Sequence, residues 1–183
     1  LGSIVPGVTV AKNEGYKTVI SIRGVGNETN QNAIAAPSVA FHMDGIFIAS
    51  PFSLQTDFID IDRIEVLRGP QGTLFGQNST GGAVNVISKK PSTDEFAGKA
   101  DLTLGNYGLK KYRTSLNMPI SDKVATRFSV SSTERNGFSN NVYTGQDLDD
   151  ANNISVRSDW LFDLNDTSSL RVFGQYFDVD RNG

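Results

Sequence analysis

Beyond Pro91 the chain alternates apolar and polar residues with a period of two, the spacing at which the two faces of a β-strand meet different surroundings. In the first run Phe96, Gly98, Ala100, Leu102 and Leu104 share one face, and Lys99, Asp101 and Thr103 share the other. Tyr112, Thr114, Leu116 and Met118 oppose Lys111, Arg113, Ser115 and Asn117 in the second. The third sets Val124, Thr126, Phe128 and Val130 against Ala125, Arg127, Ser129 and Ser131. The fourth places Ile154, Val156, Trp160, Phe162 and Leu164 opposite Ser155, Arg157, Asp159 and Asp163. In the fifth, Leu170, Val172, Gly174 and Tyr176 alternate with Arg171 and Gln175, although Phe173 and Phe177 interrupt the pattern.

A soluble antiparallel sheet alternates too, so the polar face discriminates. Here it is charged in mid-strand, while the apolar face carries Tyr112, Trp160, Phe162 and Tyr176 near run ends, as interfacial girdles do. The runs approach the roughly 9 to 11 residues of a tilted membrane-spanning strand. Connectors alternate in size, with short ones at 105–108, 119–122 and 165–167 and a long polar one at 136–152. Residues 92–183 are therefore expected to form about five antiparallel strands of an incomplete transmembrane β-barrel. Five strands leave open edges, and an unpaired backbone group in hydrocarbon costs several kcal/mol. The remaining strands are expected beyond Gly183.

Upstream of Pro91 the pattern changes to short strand-like segments at 18–23, 39–43, 46–49, 63–67 and 83–88, separated by Gly24, Gly26, Gly45, Gly69, Gly72, Gly76, Gly81 and Gly82. A 3.6-residue apolar period is absent, and residues 52–61 read as a short helical or irregular connection. Residues 1–91 are thus expected to form a compact mixed α+β unit, a small mixed sheet with glycine-rich loops.

Composition narrows the function. Charged residues are 20% of the chain and the net charge is −3, so no basic field exists to hold nucleic acid. There is no cysteine, which excludes disulfides and thiolate metal sites. No apolar run approaches the roughly 20 residues of a membrane-spanning helix. The chain begins at Leu1 without a signal-like segment, so more sequence is expected ahead of it. His42 is the only histidine and lies in a strand-like run, which points to a structural role, to no metal site and to no catalytic triad.

The stretch Ile59-Asp60-Ile61-Asp62-Arg63-Ile64-Glu65-Val66-Leu67-Arg68-Gly69-Pro70-Gln71-Gly72-Thr73-Leu74-Phe75-Gly76 resembles the core signature of TonB-dependent receptor plugs. It continues into Gly81-Gly82-Ala83-Val84-Asn85-Val86, which looks like the family's glycine pair and last plug strand. Ile22-Arg23-Gly24 and Asp44-Gly45 occur in the family's order. By the residues alone, Gly24, Gly45, Gly69, Pro70, Gly72, Gly76, Gly81 and Gly82 read as structural turns and close backbone approaches. A phosphate-cradling reading of 69–76 fails for want of a Lys-Ser/Thr ending and a following helix.

The resemblance implies an outer-membrane receptor of a Gram-negative cell, without cofactor or enzymatic activity. TonB would pull on a box ahead of Leu1, and outer-membrane lipid would surround the barrel. It implies that Arg23 and Arg68 lock plug to barrel by pairing with wall glutamates, for which the forked guanidinium suits a carboxylate. It places a ligand at two plug apices, one holding Asn27, Glu28, Asn30 and Gln31, the other Ser50, Phe52 and Gln55. The string from Leu74 to Gly82 looks like the branch that imports ferric siderophores and similar iron complexes. Cobalamin, an oligosaccharide or a mainly signalling receptor are the alternatives.

Overall fold

The computed structural model describes residues 5–13, 17–26, 37–49 and 58–180. Two compact units result: residues 1–55 with 61–88, and residues 56–60 with 89–183.

In the first unit β1 (Val8–Asn13) and β2 (Lys17–Ile22) form an antiparallel pair. A second, four-stranded sheet has the order β4-β3-β6-β5, built from β3 (Val39–Met43), β4 (Ile46–Phe47), β5 (Ile61–Arg68) and β6 (Gly82–Ser88). β6 lies at its centre, parallel to β3 and antiparallel to β5. Strands covered on both faces lose their alternation. That is why β6 reads Ala-Val-Asn-Val-Ile, with Ala83, Val84 and Val86 buried, and why consecutive Val39, Ala40 and Phe41 of β3 are all buried.

The expected helical share is not found. Among the described residues the unit has one four-residue helical turn, α1 (Gly72–Phe75), which begins inside the glycine loop rather than after it. Short helices need an apolar stripe to pack, and no such period exists here. Residues 58–60 are irregular and Ile61 already starts β5, while 52–57 lie outside the described residues.

The second unit is a five-stranded antiparallel sheet in the order β13-β12-β9-β8-β7. Its strands are β7 (Ala97–Leu104), β8 (Lys110–Ser121), β9 (Val124–Arg135), β12 (Ala151–Asn165) and β13 (Ser168–Asp180). The β9–β12 connection carries a two-residue hairpin of β10 (Ser139–Asn140) and β11 (Asp147–Leu148). Each predicted run became a strand, and the last four extend further than the alternation did.

Candidate functional site

The sheet of the second unit has its polarity reversed relative to a soluble fold. On the odd-numbered face Ser115, Asn117, Ser129, Ser131, Asn153, Ser155, Arg157 and Asp159 are buried. On the even-numbered face Leu102, Leu104, Tyr112, Phe128, Ile154, Trp160, Leu164, Leu170, Val172 and Tyr176 are exposed. Leaving a large apolar side chain in water forfeits roughly 1.5–3 kcal/mol of burial, so this face requires an apolar surrounding. The apolar band on β12 runs from Ile154 to Leu164; at about 3.4 Å per residue and a tilt near 40°, it stands about 25 Å tall. Its upper edge is a row of Lys110, Glu134 and Asn152, paired in register across three strands. Trp160 and Phe162 stack with ring centroids 6.3 Å apart near the short-turn end.

Every arginine of the sheet, Arg113, Arg127, Arg135, Arg157 and Arg171, occupies the odd-numbered, polar face. Two of them converge on Asp159, which is 1% exposed: Arg171 Nε donates to Oδ1 at 2.9 Å and Arg157 Nη2 to Oδ2 at 3.2 Å. Both guanidinium groups lie over the Phe173 ring, with Cζ 4.3 Å (Arg157) and 5.5 Å (Arg171) from its centroid. Phe173, which breaks the alternation in sequence, is on the polar face because it serves these cations. In register with Asp159 on β9 stands Arg127, whose Nε and Nη2 both donate to the carboxylate of Asp60. Ser129 Oγ donates to the same carboxylate at 3.0 Å. Burial alone would raise the carboxyl pKa of Asp60, but the hydrogen bonds from Arg127 and Ser129 and the charges of Arg127 and Lys89 together hold it below the usual range. On the far side of Arg127, Asn117 accepts from Ser92 N at 2.9 Å and donates to Ser92 O and Glu95 O, fixing the segment that enters β7.

Above the sheet, a cleft of about 450 Å³ is lined by Glu134, Arg135, Asn136, Asp147, Asp150 and Asn152 among others. Arg135 Nη2 donates to the Asp149 carbonyl at 2.7 Å, and its guanidinium lies 4.9 Å from the centre of the Phe138 ring.

In the first unit, residues 1–83 match the family model described as "TonB-dependent Receptor Plug Domain". The pesticin receptor of Yersinia enterocolitica is 30% identical over 126 residues, which are 67% of this chain and 18% of that protein. The catecholate siderophore receptor Fiu of Escherichia coli K12 is 31% identical over 109 residues, 57% of this chain and 14% of that one. The crystal structure of the ferric yersiniabactin uptake receptor FyuA from Yersinia pestis superposes with a TM-score of 0.81 at 22% identity, covering 95% of this chain and 27% of that one. The chain belongs to the TonB-dependent receptors. It spans under a fifth of the length of the curated relatives it matches.

In this TonB-dependent receptor Arg23, in a left-handed conformation (φ 55°), and Arg68, at the end of β5, are exposed. Neither has an ion pair or side-chain hydrogen bond among the described residues. The apical residues Asn27, Glu28, Asn30, Gln31, Ser50, Phe52 and Gln55 lie outside the described residues. Gly24, Gly45, Gly69 and Gly76 have positive φ, Pro70 is exposed between turn and helix, and Gly72 opens α1 with open space around it. The close approach is at the glycine pair: a Cβ on Gly82 would lie 2.4 Å from the Leu67 carbonyl oxygen, and one on Gly81 2.8 Å from Val25 Cγ1. His42 is buried, edge-on to Phe75 (5.0 Å) and tilted against Phe47 (5.5 Å). Asp44, in the turn after β3, accepts from both the backbone N (2.9 Å) and the hydroxyl of Ser88, which ties that turn to the end of β6. Sequence reasoning missed the Asp60 and Asp159 clusters; the sign available was that the sheet's arginines all share one face.

Proposed function

We propose that this chain is part of an outer-membrane receptor of a Gram-negative cell that imports a ferric siderophore or a similar iron complex, energised through TonB. The single observation that carries the cargo is the kind of relative it matches. The catecholate siderophore receptor Fiu stands at 31% identity, and the 126 residues aligned with the pesticin receptor at 30% identity exceed the 83 of the plug match. The similarity therefore runs past the plug into the sheet. Membrane residence is supported by the exposed apolar band with buried polar face. In this reading the lipid meets the even-numbered face, and the 136–150 connection faces outward beside the cargo. The plug occupies 1–91 and the first barrel strands 92–183; Arg23 and Arg68 reach glutamates on other strands of the barrel.

The test is equilibrium binding by the full-length receptor, followed by Trp160 and tyrosine fluorescence, against ferric siderophores, cobalamin and oligosaccharides. Tight binding of one ferric complex, weakened about tenfold by Asn30→Ala or Phe52→Ala, is the expected result. Saturable binding only of a corrin or a sugar would retain the receptor and remove the iron assignment. Arg68→Gln is expected to speed hydrogen exchange in the plug, and unchanged protection would sink the lock assigned to Arg68.

A further inference from the structure

Residues 58–60 lie between β4 and β5 in sequence, yet they pack as part of the second unit. The chain leaves that unit at Asp60 to begin β5 at Ile61, and returns to it at Lys89 after β6 ends at Ser88. The two passages run side by side, since Ile61 pairs with Ser88 and Lys89 N donates to Asp60 O at 2.8 Å. At this point Asp60 adopts a left-handed backbone (φ 55°) and turns its carboxylate onto Arg127 and Ser129 of β9. The side chains of Arg127 and Asp60 are 12% and 11% exposed.

A pair so buried adds little net stability compared with apolar residues of the same volume, yet removing one partner strands a charge. The left-handed conformation is a further cost for a residue with a Cβ. What the arrangement supplies is position: the two-toothed guanidinium grip fixes both the distance and the plane of the carboxylate. We propose that Asp60 is a positioning residue that fastens residues 58–60 to β9 of its own unit just before the chain enters β5, with Arg127 as its clamp and Ser129 as support. The role is independent of which cargo the receptor carries.

Hydrogen–deuterium exchange on the full-length receptor tests this. Asp60→Asn and Arg127→Gln are each expected to speed exchange in peptides covering 58–62 and 89 at least tenfold, with β8 and β9 amides unchanged. Arg127→Lys, which keeps the charge and loses the fork, should fall between. The swap of Asp60→Arg with Arg127→Asp should return the rates to within about threefold of the parent. Unchanged exchange at 58–62 in both single variants, an equal rise throughout β8 and β9, or a swap no better than the singles would each overturn the fastener.

Discussion

Gly82 and Gly45 both have positive φ, but their surroundings separate two costs that a glycine can hide. At Gly45 (φ 82°) nothing lies within 4 Å of an added Cβ, so Gly45→Ala should cost only the backbone strain, about 1–2 kcal/mol. At Gly82 (φ 146°) the Cβ would strike the Leu67 carbonyl and lie 2.7 Å from Ile22 Cδ1, both inside a packed unit. Gly82→Ala should therefore cost about 3 kcal/mol or more, and denaturant unfolding of the receptor followed by plug-specific exchange would separate the two. His42 carries a pH prediction. Burial lowers its pKa from 6.5, so the unfolded chain takes up a proton near that pH while the folded one resists it. Plug stability should thus be full above about pH 6.5 and fall as the pH drops from there toward the lowered folded value. Replacing His42 by Phe should flatten that slope between pH 7 and 5 in thermal unfolding, and an unchanged slope would remove His42 as its source.

At the scale of elements, the two sheets differ in what their sequences disclose. β7 to β9, β12 and β13 each have one face of each kind, so alternation located all five. Their extensions, to Arg135 in β9 and from Ala151 in β12, lie above the apolar band, where both faces are polar and the period vanishes although hydrogen bonding continues. β10 and β11 were invisible for the same reason, and β1 because its partner β2, not its own short run, defines it. The reversed sheet gives a sharp expectation. Val172→Arg, on the exposed apolar face opposite Trp160, should cost about 2–4 kcal/mol of folding into lipid bilayers, as measured by urea titration. Gln175→Arg, on the polar face, should cost much less; equal penalties at 172 and 175 would argue against a membrane wall.

For the whole molecule, alternation was enough to locate the five strands beyond Pro91 and to assign their faces, and the stretch from Ile59 to Gly76 carried the resemblance to the family. These are local properties, written within a few residues of one another, because the pleat repeats every two residues and a tight turn needs its glycine in place. Tertiary structure alone decided that β3 lies parallel to β6, that the regular structure of the expected α+β plug unit is strand apart from one helical turn among its described residues, and that 58–60 group with the sheet rather than with the β5 that follows them. It also decided that Asp60 meets Arg127, 67 positions away, and that Arg157, Asp159, Arg171 and Phe173 share one buried cluster. A charge pair that distant has no spacing rule, since either residue by itself reads as an ordinary surface charge, and only chain closure brings carboxylate and guanidinium into one dry place.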